Sequence, residues 1–325
     1  MYKMNKKKLF LFLMIISSMM VVSSTSWLSM WVGMEINLMM NIPFLFTNKS
    51  KEMSEKIMIY FLIQVMGSTL MLTVITTKNF CLEYKNLMNL ILSMSMMIKL
   101  GIPPFHLWMP EMLNKLNWNI MMVMMTLQKI NPLVMMVQLM SQNSIMPTIM
   151  ITSASLGSIM GMNQLSLNKL MAFSSMNHMS WIMMSSFMMN NMWIKYFIIY
   201  SLINYSLCYT LNKMNVFYMN QMSTNTDMKT KIMFSLMMMN LGGFPPMPGF
   251  MLKWMVMEWM ANSGFMTIMT IMLASSMITL VFYLRMMYMN TMVSSLNFKF
   301  KMIKMNKNMF LMFIMNMVMP MMILI

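Results

Sequence analysis

Apolar runs of helical length alternate with short polar stretches along the whole chain, and the alternation predicts eleven helices. They fall near 9–24, 27–46, 56–77, 87–108, 117–140, 144–163, 167–189, 193–212, 229–260, 265–288 and 307–325. A membrane span takes about 20 apolar residues, so each run reads as a bilayer crossing. The ninth is too long for one span and holds LGGFPPMPGF, which predicts two half-helices around a break. The opening MYKMNKKK followed by LFLFLMIISSMMVV has the charged and apolar parts of a signal peptide. No small-x-small cleavage pattern precedes a mature domain, and further apolar runs simply follow, so this segment reads as the first span. Polar stretches near 47–56, 213–229 and 289–306 read as connections. The expectation is a single all-α polytopic membrane domain over 1–325.

Composition excludes the soluble alternatives. Of 325 residues, 59% are hydrophobic and 9% charged, with a mean hydropathy of +0.63. Soluble domains carry about 25% charged residues. A water-facing surface cannot be built from 23 basic and 7 acidic side chains, so a soluble enzyme and a nucleic-acid binder are both excluded despite the net charge of +16. Methionine, at 68 residues, replaces smaller apolar residues almost everywhere. Packing physics does not favour this, because Met is a flexible filler. The bias reads as AT-rich codons with ATA translated as Met, as in animal mitochondrial genomes. Copper binding is the competing explanation, but the methionines lie in apolar runs rather than in short polar ligand motifs. Cys81 and Cys208 are the only cysteines, with no CxxC pair, and there is no Walker loop or GxGxxG. The expectation is that no cofactor and no metal is bound by this chain.

Charge placement supplies orientation. With the eleven spans as drawn, sixteen lysines, Lys3, Lys6, Lys7 and Lys8 among them, share a side with the N-terminus, against Lys78, Lys85 and Lys195 on the other. The positive-inside rule places the N-terminus on the matrix-like side and the C-terminus opposite. The basic side also suits anionic lipid.

Four ionisable groups stand where apolar sequence should continue: Glu35 in WVGMEINLMM, Lys99 in MSMMIKLGIPPF, Lys129 in MMTLQKINPLVMM and Lys253 in FMLKWMVMEWM. Each costs on the order of 2.5–3.5 kcal/mol at mid-bilayer unless paired or hydrated. One carboxylate cannot neutralise three lysines, so a purely structural reading fails for the set. A chain of protonatable groups in a hydrated interior accounts for all four. Lysine suits that role because it can release a proton where arginine cannot. Breakers accompany them: Pro103 and Pro104 after Lys99, Pro132 after Lys129, and Pro245, Pro246, Pro248 and Gly249 before Lys253. Irregular backbone at membrane depth is tolerated where protein or water covers it. His106 and His178 are two further titratable candidates, each equally readable as a packing histidine.

KLGIPPFHLW in the fourth span is echoed by NLGGFPPMPGFMLKW in the ninth, five helices on. An odd offset inverts the second block, which is the inverted-repeat plan of secondary transporters. The expected blocks are 9–140 and 144–288, with an extra helix at 307–325.

SWLSMWVGMEINLMMNIPF, MIKLGIPPFHLWMPE, LQKINPLVMM, FSSMNHMSW and LGGFPPMPGFMLKW closely resemble the antiporter-like membrane subunits of respiratory complex I (NADH:ubiquinone oxidoreductase), a family related to cation/proton antiporters. The likeness runs from the first span to about residue 260. It implies an antiporter-like fold with broken helices and a part in proton translocation coupled to ubiquinone reduction. It also implies Glu35 and Lys99 as a charged pair at one end of the channel, Lys129 as its central lysine and Lys253 as the lysine of the second broken helix. NADH, FMN, iron–sulfur clusters and ubiquinone would be bound by partner subunits. The implied partners are other membrane-arm subunits and lipids such as cardiolipin, in the mitochondrial inner membrane. A monovalent cation/proton antiporter subunit and a passive membrane-arm scaffold are the competing functions.

Overall fold

The computed structural model describes residues 2–46, 51–77, 85–140, 146–188, 191–223, 228–245 and 247–292. Among these there is no β-strand, only one isolated bridge between Ser166 and Tyr218. The chain divides into two compact units, residues 1–116 with 123–146, and 117–122 with 147–325.

The first unit contains α1 (Tyr2–Ser23), α2 (Trp27–Leu45), α3 (Lys51–Thr77), α4 (Lys85–Leu100), the short α5 (Trp108–Leu113) and α7 (Leu127–Met140), with α6 (Trp118–Met125) spanning the unit boundary. Ser26 starts α2 as its N-cap, its hydroxyl accepting from the Ser29 amide at 3.3 Å. α1 and α2 form a tight hairpin because Gly33 lets α2 lie directly on Val21 and the Ser17 carbonyl. Close approach through small residues is how helices pack where lipid removes the hydrophobic drive between them.

The second unit contains α8 (Met146–Met162), α9 (Leu167–Met188), α10 (Met192–Met214), a 3₁₀ turn (Met219–Ser223), α11 (Met228–Gly242), α12 (Pro248–Asn262) and α13 (Met266–Met292). α9 is buried on every face from Leu167 to Ser186. Its serines Ser174, Ser175, Ser180, Ser185 and Ser186 turn their hydroxyls onto carbonyls three residues back, within the helix itself.

Ten of the eleven sequence-derived runs coincide with helices or helix pairs, and the run 307–325 lies outside the described residues. Among the described residues three stretches, Lys51–Thr77, Trp118–Leu139 and Met266–Thr291, are by themselves long and apolar enough to cross a membrane. Their outward faces carry large apolar side chains such as Met58, Leu62, Met66, Met277 and Val281, the inverse of a water-soluble surface.

Two expected boundaries move. The fourth run, 87–108, stops as a helix at Leu100, where Gly101 takes φ +68°. The Gly101 and Ile102 amides fold back on Met97, a Schellman cap that ends the helix before the diproline is reached. In the fifth run, α7 continues through Pro132 and the break falls earlier, at Thr126. There the Thr126 amide bonds Val123 and the Lys129 amide bonds Thr126, both three residues back. A proline removes one helical bond but does not force a stop when its φ suits the helix.

Candidate functional site

Amide and phenol side chains cut across the apolar runs of the first unit at helical spacing. Asn37 and Asn41 lie one turn apart on α2, as do Tyr60 and Gln64 on α3. Asn41 Nδ2 donates to Tyr60 Oη at 2.9 Å, and Gln128 Nε2 of α7 donates to Asn37 Oδ1 at 3.2 Å. Gln64 Nε2 donates to the Lys99 carbonyl at 3.4 Å. These groups surround space that two lysines share: Lys99 and Lys129 line one small cavity of about 30 Å³ with Tyr60, Gln64, Trp108 and Gln128. Lys99, Tyr60, Gln64 and Gln128 also line a second cavity of about 20 Å³, with Asn37 and Asn131. Polar walls and room are what internal water requires.

The two ammonium groups sit differently. Lys99 Nζ faces Met34 Sδ at 3.9 Å, a weak acceptor, and Gly67 leaves the slot for its stem, since a Cβ there would stand 3.0 Å from Lys99 Cγ. Lys129 is 3% exposed and its Nζ has no hydrogen-bond partner among the described residues. An orphan buried ammonium is costly in a static apolar site, so its presence beside a polar cavity points to a role for its charge.

Glu35, the expected charged partner of Lys99, makes no direct ion pair with it. It interacts electrostatically with Lys99, yet the ion pairs with N···O within 4.0 Å among the described residues are only those of Lys56 with Glu111 and Lys115 with Glu52. Glu35 Oε1 is buried and accepts no hydrogen bond. The coupling therefore runs through space, and Glu35→Gln is expected to slow proton translocation without loss of assembly. In a double-mutant cycle with Lys99→Met, the coupling should be about 0.5–3 kcal/mol. Strictly additive rates would show the two groups to be independent.

In the second unit the break between α11 and α12 is built around Lys253. Gly243 takes φ +76°, and the Gly243 and Phe244 amides fold back on Met239, the same cap as at Gly101. A similar cap closes α12 at Gly264, so the cap alone is generic; the echo lies in the diproline and lysine beside it. The N-terminus of α12 presses onto α11. Gly249 N donates to Asn240 Oδ1 at 3.2 Å, and a Cβ on Gly249 would lie 1.8 Å from the Asn240 carbonyl oxygen. Lys253 Nζ then reaches back to donate to the Gly242 carbonyl at 2.9 Å, a cation at a helix C-terminus.

The histidines separate. His178 Nδ1 is 3.3 Å from Tyr196 Oη and its ring lies 5.2 Å from that of Tyr200, within a buried cluster that includes Tyr283. His106 is buried on the loop before α5, neither ring nitrogen has a hydrogen-bond partner among the described residues, and it lines neither of these two cavities.

Residues 24–279 match the family described as NADH:quinone oxidoreductase/Mrp antiporter, TM. The chain belongs to that family. Among relatives of this antiporter family, NADH-ubiquinone oxidoreductase chain 2 of Anopheles gambiae is 36% identical over 296 residues, covering 88% of this chain and 86% of that one. The corresponding chain 2 of Locusta migratoria is 34% identical over 291 residues, covering 88% and 85%. A chain in the structure of respiratory complex I from Thermus thermophilus with bound aureothin superposes with a TM-score of 0.79 at 16% identity, covering 97% of this chain and 79% of that one. That likeness carries the fold of the antiporter family.

Sequence reading missed the cavity's uncharged wall: Tyr60, Gln64, Gln128, Asn37 and Asn131. The signal was present as polar residues four apart inside apolar helices. Arg285, a further basic residue inside an apolar run, donates to the Gln164 carbonyl at 2.9 Å and so bonds backbone rather than a carboxylate.

Proposed function

We propose that this chain is a membrane-arm subunit of mitochondrial respiratory complex I that moves protons across the inner membrane, coupled to NADH oxidation and ubiquinone reduction. The observation that carries the reading is the polar cavity lined by both Lys99 and Lys129. Two lysines facing one hydratable space can exchange a proton through water, with Glu35 biasing Lys99 electrostatically. Lys253 is the next station, held at the break of α11 and α12. The naming of insect relatives as chain 2 of NADH-ubiquinone oxidoreductase supports the assignment, as does the methionine-rich composition. The redox groups (FMN, iron–sulfur clusters, ubiquinone) belong to partner subunits, and the activity belongs to the assembled proton-translocating NADH:ubiquinone reductase.

In this reading the chain crosses the membrane eleven times, as two inverted five-helix blocks and a final helix at 307–325. The shared diproline and lysine of the two broken segments support the repeat, and the lysine asymmetry supports an N-terminus in the matrix and a C-terminus in the intermembrane space. Other antiporter-like subunits and cardiolipin-type lipids are the neighbours. His106 and His178 are subsidiary groups of the path.

The family also embraces Mrp antiporters, so sodium/proton exchange is the second reading. Reconstitution of the complex in liposomes separates the two. NADH-driven proton uptake unaffected by sodium supports the respiratory role; a sodium requirement with no NADH:quinone reductase co-purifying with the chain would overturn it.

A further inference from the structure

We infer that α5 is a lid over the Lys99–Lys129 cavity, latched from the aqueous side by two crossed ion pairs to α3, and that the latch sets how often the cavity meets external water. The inference rests on the reading of that cavity as part of the proton path.

The inner side of α5 closes the space: Trp108, Met109 and Leu113 line the cavity beside both lysines. Its outer side is charged. Glu111 of α5 and Lys115, on the turn that leaves it, stand four residues apart and meet Lys56 and Glu52 of α3, also four apart. The pairing is crosswise: Lys56 Nζ lies 2.9 Å from Glu111 Oε2, and Lys115 pairs with Glu52. One tie holds α5 itself and the other holds the turn at its end. All four side chains reach solvent, from 27% exposure at Lys56 to 69% at Glu52, so this end of the unit faces water or headgroups.

The backbone leaves α5 suited to move. Its six residues form fewer than two turns, so tertiary contacts rather than internal bonds must hold it. On one side the chain passes through the left-handed Gly101 and the loop bearing His106, and on the other it leaves by short turns at Lys115 and Leu116. The inner hold is packing: the Trp108 ring lies 5.7 Å from that of Tyr60, and Met109 packs so closely on Gly101 that a Cβ there would stand 3.1 Å from Met109 Cβ. Exposed ion pairs are weak. Each multiplies the closed population by a factor of only about 1.4–5, and salt screens it. A latch of that strength holds the lid shut most of the time while allowing frequent opening, which suits a cavity that must exchange protons with one side without becoming a pore.

The test uses the assembled complex in inverted inner-membrane vesicles, matrix face outward. Met109→Cys supplies a thiol on the cavity wall, and its reaction with an impermeant methanethiosulfonate reports opening, with the parent chain as background. Glu111→Lys and Lys56→Glu, each setting like charges face to face, are expected to speed labelling about two- to tenfold. The swap Lys56→Glu with Glu111→Lys should return it to within about twofold of the parent. High salt should speed labelling in the parent and narrow its gap from the single reversals, whose like-charge repulsion it also screens. Equal rates across the series, a swap that assembles but does not restore the rate, or equal labelling from the opposite membrane face would each overturn the lid. If Met109→Cys does not assemble, Leu113→Cys gives the same readout, alongside amide exchange over residues 108–113 in the unaltered chain. Labelling that responds while NADH-driven proton translocation stays constant would overturn the lid's part in proton access. Labelling that does not respond, with pumping intact, would remove the lid and leave the proton-path reading standing.

Discussion

Lys129→Met is expected to assemble as well as the parent chain and to lose proton translocation through this subunit. The side chain is buried and its ammonium bonds to nothing among the described residues, so methionine of similar length removes an unsatisfied charge and leaves the packing nearly unchanged. Membrane insertion of the span should become easier by roughly 3 kcal/mol. Translocation has the opposite fate, because a positioned proton-transfer group is typically worth a factor of about 10²–10⁴. Lys129→Arg should fail too, since guanidinium keeps its charge at any accessible pH. Native gels report assembly, and the proton-to-electron ratio in vesicles reports function. A Lys129→Met complex pumping at the parent ratio would hand this position to the scaffold reading. Lys253→Met is expected to differ, because it strips the Gly242 carbonyl of its donor. That adds a structural cost of about 1–3 kcal/mol to the functional one.

Gly249→Ala is expected to abolish assembly. Its Cβ would stand 1.8 Å from the Asn240 carbonyl oxygen, a backbone atom that no rotamer change can move aside. Overpacking ordinarily costs about 1–3 kcal/mol, and a contact this short demands that α12 withdraw from α11. Lys253 would then lose its reach to Gly242. Gly242→Ala is the control, since a Cβ there meets only leucine and tyrosine side-chain carbons at 3.4 Å, an ordinary distance. Steady-state levels of the chain in isolated membranes measure both. Normal accumulation of Gly249→Ala would mean that α12 is not seated on α11 as described.

The helices were legible because apolar length is a one-dimensional signal, and so was the split of the ninth run, where LGGFPPMPGF leaves little choice. The stop at Leu100 was less so. The diproline suggested a break after Lys99, but a single glycine ended the helix first, through a capping pattern that depends on backbone conformation rather than residue count. The pause at Thr126 carries no sequence mark at all. Among the site residues, charge in an apolar run flagged Lys99, Lys129 and Lys253, whereas only packing could reveal that the first two share a cavity and the third grips a helix end. Glu35 was found by the same rule, but a charge in a run does not say which side chain it meets, and among the described residues it forms no ion pair within 4.0 Å. The neutral wall of Asn37, Tyr60, Gln64 and Gln128 went unnoticed because single amides look harmless in a row of methionines.

The glycines record a contest between mutation and geometry. Glycine codons begin with two guanines, so a drift toward A and T erodes glycine as it erodes alanine, here reduced to four residues. Nine glycines nevertheless remain. At Gly33, Gly67, Gly101, Gly157, Gly161, Gly243 and Gly249 a Cβ would press within 3.3 Å of another atom, and Gly264 holds φ +82°. Where the codon bias could replace a small residue with methionine it has largely done so. Eight of the nine glycines therefore mark points at which a neighbouring side chain or backbone lies too close, or the chain turns too sharply, for the genome's preferred letters to be used.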